Sequence, residues 1–203
     1  MESTYVCQMT SYDEVCRQLF AAACERGLST ATKVIVPGDG GIGLMEAMQV
    51  QFPGCQYILD RPHLKSHWFE VAEALQIEEG LRSRWVQTHM HRIDDGEVHE
   101  VITELKNLLE CQPNERLEQF IKHLTRFAQA MHYNLFKERG WPRGSGEVES
   151  AHRYIPQERL KIPGAWWHPD HVNPMLALRV IRANGWWSDY WAWRADRRGR
   201  QTA

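Results

Sequence analysis

The chain has 203 residues, 43% of them hydrophobic and 25% charged, with a formal net charge of −2. That length and apolar content suffice for a buried core and exclude a disordered tail. No apolar run approaches the roughly 20 residues that span a bilayer, and the N-terminus has no basic stretch followed by an apolar one, so a soluble, cytoplasmic protein with no membrane partner is expected.

In chain order, Tyr12 to Gly27 reads as an amphipathic helix with Val15, Leu19, Phe20 and Cys24 on one side and Gly27 as its stop. A strand over Lys33 to Val36 ends at Pro37-Gly38 and delivers Asp39, flanked by Gly38 and Gly40, to the sheet edge. Leu44 to Gln51 reads as a helix stopped by Pro53-Gly54, and Gln56 to Leu59 as a second strand ending at Asp60, the first residue of Asp60-Arg61-Pro62-His63. Strand, helix, strand favours parallel neighbours in an α/β sheet.

Beyond Asp60 the pattern changes. From His63 to about Met131 the spacing is helical, as in Val101, Leu105, Leu108 and again in Leu117, Phe120, Ile121, Leu124, with no third strand. A further helix begins near Ser145 in Gly144-Ser145-Gly146-Glu147-Val148-Glu149, where serine is a good cap and the positive helix end favours acid groups. Glu147 and Glu149 are two apart and do not share a face, so one of them at most serves a common ligand.

The cysteines at 7, 16, 24, 55 and 111 form no Cys-x-x-Cys pair and read as small buried hydrophobes in a reducing compartment. His89, His91 and His99 lack a recognised zinc-ligand spacing and read as a solvated helical face. The small net charge conceals a polarity: residues 70–118 carry 12 acidic and 5 basic side chains, whereas residues 137–200 carry 12 basic and 7 acidic. Seven of the nine tryptophans lie in that basic part, at 141, 166, 167, 186, 187, 191 and 193. Arginines near tryptophans are suited to DNA phosphates and unpaired bases. Arg143, Arg153, Arg159, Lys161, Trp166 and Trp167 are the candidate DNA-binding residues, the last two in a Pro-Gly loop.

The order of Gly38-Asp39-Gly40, Asp60-x-x-His63, Gly144-Ser-Gly-x-Val-Glu149 and the later Arg159-Leu-Lys-Ile-Pro-Gly-Ala-Trp-Trp167 and Met175-Leu-Ala-Leu-Arg179 resembles the RNase H-like DDE transposases of bacterial insertion sequences, most closely the ISKra-type group. The resemblance runs from about Lys33 to Trp191. It implies a partial RNase H-like α/β segment over residues 1–62, an all-helical insertion over 63–140, and a C-terminal helical part with a basic, tryptophan-rich tail over 141–203. It also implies that Asp39 and Glu149 are catalytic and bind metal, with Asp60 and His63 supporting them. Two Mg2+ (or Mn2+) ions held by carboxylates activate a water or 3′-hydroxyl for in-line attack on a phosphodiester. The implied partners are transposon ends and target DNA, with a second copy or an N-terminal transposase fragment.

The family's first aspartate has no counterpart. Asp13 is the only aspartate ahead of Asp39, and it falls in a predicted helix rather than at a strand end. The expectation is therefore a truncated or split transposase, catalytically poor alone. Gly41-Ile42-Gly43 also departs from relatives, which commonly carry an aromatic just after Gly-Asp-Gly. Two other readings stay open: a DNA-binding or regulatory transposase remnant without catalysis, and a dinucleotide-binding protein. The second rests on Gly38-x-Gly40-x-x-Gly43 after a strand and Asp60 at the end of the next.

Overall fold

The computed structural model describes residues 3–201, which divide into two compact units. One unit is the continuous stretch Lys33–Ser145; the other joins the chain up to Thr32 with the chain from Gly146 onward. These units cut across the division drawn from the sequence, because the strands and the helices that follow Asp60 share one unit while α1 (Tyr12–Glu25) belongs with the C-terminal part.

The Lys33–Ser145 unit begins with β1 (Ile35–Gly38), α2 (Leu44–Gln51) and β2 (Gln56–Leu59). The strands pair in parallel with Ile35 opposite Gln56 and Gly38 opposite Leu59, and α2 is the crossover between them. The first strand lies two residues later than its expected start, running through Pro37. Proline is tolerated because each strand of a two-stranded sheet has an unpaired side, so its missing N–H costs no ladder bond.

Five helices then supply the bulk of this unit: α3 (Arg61–Ala74), α4 (Glu79–Asp94), α5 (Val98–Cys111), α6 (Glu115–Arg126) and α7 (Tyr133–Glu138), with a 3-10 turn at Ala128–Ala130. Their boundaries have local causes. Asp60 caps α3 by accepting from the His63 N–H at 2.8 Å, and Pro62 sits in the first turn, where a missing N–H is harmless. Asn114 serves two helices, since its Oδ1 accepts from the Leu117 N–H to start α6 while its Nδ2 donates to the Ala74 carbonyl at the end of α3. The apolar spacings predicted for α5 and α6 are the buried faces: Val98, Val101, Ile102 and Leu105 on one, Leu117, Phe120, Ile121 and Leu124 on the other. Each such side chain contributes roughly 1.5–3 kcal/mol on full burial.

At the centre Trp68 lies edge-on to Phe120 and Trp85 and stacks on His89. His89 is thus buried, contrary to its reading as a solvated residue, and its Nδ1 lies 2.8 Å from the Trp85 carbonyl; His91 and His99 are exposed as expected. All five cysteines are free thiols, but only Cys16 is buried, and Cys24 and Cys111 are exposed.

The other unit contains α1, α8 (Gly146–His152), a π-helical turn (Arg153–Gln157), α9 (Glu158–Leu160), α10 (Pro169–Ala183) and α11 (Trp187–Gln201). Pro156 lies inside the π turn, and its missing N–H removes an α-type bond at that step. The segment before α1 is tied to α10 and its cap by two asparagines. Asn184 exchanges both hydrogen bonds with the Tyr5 backbone and Asn173 both with the Met9 backbone, as a neighbouring strand would. The architecture is α/β with one parallel strand pair and a helical majority among the described residues. No helix among them is long and apolar enough to cross a membrane.

Candidate active site

The carboxyl ends of parallel strands are where open α/β folds place their chemistry. Asp39 and Asp60 follow the paired residues Gly38 and Leu59, so both leave the same edge of the strand pair, and the Asp60 N–H donates to the Gly38 carbonyl at 2.8 Å. Their environments differ sharply.

Asp39 is exposed, and its Oδ1 accepts from the Gly41 N–H at 2.9 Å, which closes a tight turn. The flanking glycines are there for steric reasons. A Cβ on Gly38 collides with the Tyr57 phenol; one on Gly40 would stand 2.7 Å from His123 Cε1 and 3.0 Å from Leu59 Cδ1, and Gly40 also has φ +82°. The Gly-Asp-Gly motif therefore lets the backbone pass between Tyr57 and His123 while leaving one aspartate oxygen without a protein partner among the described residues.

Asp60 is 1% exposed, and both of its oxygens are engaged. Oδ1 caps α3, while Oδ2 accepts from both the backbone N–H and the hydroxyl of Ser145, the former at 2.6 Å. The Arg61 N–H donates to the Arg143 carbonyl at 2.9 Å beside it. The two motifs singled out in the sequence, Asp60-x-x-His63 and Gly144-Ser145-Gly146, are thus fastened together by a buried carboxylate. The serine hydroxyl offered as a helix cap is a donor to that carboxylate. Three further bonds brace the same region: the Tyr133 hydroxyl donates to the Leu59 carbonyl, and Arg61 makes a bidentate pair with Asp94 at 2.6 and 2.7 Å. Burial raises the Tyr133 phenol pKa well above its ordinary value, so it remains a donor throughout the neutral range.

His63 is exposed and begins a row of imidazoles with no counterpart in the sequence reading. Its ring lies edge-on to His67 at 4.7 Å between centroids, and His67 lies edge-on to His123 at 5.4 Å. His67 and Arg116 both meet Glu70, and Arg126 pairs with Glu46. Burial, with the nearby charges of His67, His63, Arg116 and Arg126, pushes the His123 pKa down to about 4, so the ring is neutral at pH 7. Its Nε2 is buried with no hydrogen-bond partner. No periodicity marks His123 as special; its role comes from meeting a loop more than 80 residues earlier in the chain.

Of the remaining predicted residues, Arg143 lies in the same unit as the two aspartates, whereas Glu149, Arg153, Arg159, Lys161, Trp166 and Trp167 belong to the other. Glu149 is exposed in the first turn of α8, with no hydrogen bond or ion pair among the described residues. Trp166 is 98% exposed, while the Trp167 indole N–H donates to the Arg159 carbonyl at 2.9 Å. Among the described residues no three histidine, cysteine, aspartate or glutamate side chains are grouped to hold a metal ion. As donors taken singly, Asp39 and Glu149 fit a hard cation because each has uncommitted, exposed oxygen; Asp60 does not, because it is buried and both of its oxygens already accept hydrogen bonds. No family model matches the chain, and neither a curated protein nor a solved structure matches it.

Proposed function

We propose that the chain is the C-terminal portion of a DDE-type DNA transposase with an RNase H-like catalytic fold, acting in the cytoplasm on transposon ends and target DNA. The observation that carries this reading is the asymmetry of the two strand-end aspartates. Asp39 is exposed with oxygen to spare, while Asp60, at the same strand edge, is consumed in holding Ser145 within the Lys33–Ser145 unit. A catalytic carboxylate needs the first condition, and its support needs the second. Asp39 and Glu149 are the carboxylates assigned to Mg2+ or Mn2+, which would activate the attacking oxygen and stabilise the leaving one. Asp60 and His63 act as supports rather than ligands. The dinucleotide reading loses ground on the same atoms, because a ribose needs a free carboxylate at position 60.

The test is to translate all frames of the DNA immediately upstream of the Met1 codon and to reconstitute the product with this chain. A strand ending in aspartate is expected there, and the pair should carry out metal-dependent strand transfer that Asp39→Ala or Glu149→Ala abolishes without loss of end binding. Normal transfer by either variant overturns the assignment of that carboxylate.

A second reading, a binding or regulatory remnant, is favoured by α11. Arg194 lies over the Trp191 ring and Arg197 over the Trp193 ring, with both tryptophans exposed. Salt-dependent DNA binding with no metal-dependent chemistry in the reconstituted pair would select it.

A further inference from the structure

The unit containing α8 to α11 has a cleft of about 480 Å3 lined by Tyr154, Glu158, Arg159, Arg179, Arg182 and Ala183, a volume within the roughly 300–1,000 Å3 of small-ligand sites. Its construction separates one structural arginine from two idle ones. Arg179 donates to the Tyr154 and Ile155 carbonyls and to the Glu158 carboxylate, so it both secures the π-helical turn and neutralises the cleft's one acid. Arg159 and Arg182 are exposed and have no acidic partner among the described residues. Their two charges are uncompensated, which suits an anion.

An aromatic side chain stands next in sequence to a residue that is fastened to the cleft's Arg159. The Trp167 indole donates to the Arg159 carbonyl and thereby fastens the Pro163-Gly164 loop to α9. The neighbouring Trp166 is left 98% exposed, so its ring has no packing partner in this unit. An indole free on both faces gains little from a duplex, whose base faces are already stacked, but gains the full stacking interaction with an unpaired base.

We propose that this cleft binds unpaired DNA, with Arg159 and Arg182 holding successive phosphates and Trp166 stacking on a base. The inference deepens the transposase reading by naming the form of DNA that this unit takes, and it rests on DNA being the partner. It involves neither Asp39 nor any metal ion.

The test is fluorescence anisotropy of the full chain with a labelled oligothymidylate and with a hairpin duplex of equal strand length, in EDTA and across a salt series. The single strand should bind more tightly than the duplex. Trp166→Ala should weaken single-strand binding by about 5- to 100-fold and leave duplex binding unchanged. Arg159→Gln with Arg182→Gln should lower the slope of log affinity against log salt by about 1 to 2. Circular dichroism melts would show that the variants remain folded. Equal affinity for the two DNA forms, or a Trp166→Ala variant that binds as tightly as the parent, overturns the proposal. Because chelator is present throughout, loss of this binding preference leaves the strand-transfer test untouched, and failure of strand transfer leaves this one untouched.

Discussion

At the scale of single residues, the Gly-Asp-Gly turn is determined by what surrounds it. Gly40→Ala places a Cβ against His123 and Leu59 at a positive φ. The expected cost is about 2–5 kcal/mol, combining overpacking of about 1–3 with about 1–2 for left-handed backbone, and urea unfolding would measure it. His123 sets a pH dependence whose sign follows from its depressed pKa. With a folded pKa of about 4, below the unfolded value of 6.5, the unfolded chain binds the extra proton first. Stability is therefore complete above about 6.5 and falls as pH drops toward 4. Partial solvent exposure limits the loss to about 1–2 kcal/mol. His123→Phe removes the titrating group and its unpaired Nε2, and keeps the ring against Phe120 and Phe127. Thermal melts between pH 7 and 4.5 should show a shallower decline for that variant; an unchanged acid limb would assign the sensitivity elsewhere.

At the scale of elements, the sequence was most legible where a residue's role is set by near neighbours. The helix Leu44–Gln51 and the strand Gln56–Leu59 coincide with their expected spans because Gly and Pro mark the break between them locally and a short apolar run marks the strand. The buried faces of α5 and α6 were legible for the same reason. Asp60 was legible as a strand-end acid but not as a fastener, since its partner Ser145 lies 85 residues away. His89 misled because its burial is decided by Trp68 and Trp85 rather than by its own spacing. The Asp60–Ser145 link is testable as an element-level device. Asp60→Asn keeps the acceptor that caps α3 but turns an amide donor toward the Ser145 N–H, whereas Ser145→Ala removes only the hydroxyl bond. Asp60→Asn should cost about 1–3 kcal/mol, and the double variant should lose less than the sum by at least about 0.5 kcal/mol. Strict additivity in denaturant unfolding would mean that the two groups do not act together.

At the scale of the whole molecule, net charge and charge arrangement make opposite predictions. A chain of formal charge −2 should ignore a polyanion at neutral pH if only its total matters. The acidic side chains are concentrated in residues 70–118, within the Lys33–Ser145 unit, and several are internally paired, as Glu70 is with Arg116 and Glu97 and Glu104 with Arg92. The basic side chains concentrate after residue 137, where Arg159 and Arg182 have no acidic partner among the described residues and Arg194 and Arg197 lie over exposed indoles. Screening over roughly 10 Å at 0.1 M salt makes such local surplus count for more than the total. The full chain should therefore be retained on heparin at low salt near pH 7 and elute as salt rises, despite its acidic balance. Arg194→Gln with Arg197→Gln removes two charges far in sequence from Asp39 and should shift elution to lower salt while leaving the melting temperature within a few degrees of the parent. Flow-through of the parent chain at low salt would mean that the segregated charge forms no anion-binding surface, and the DNA partner would then have to be recognised by something other than the arginines and tryptophans of the C-terminal part.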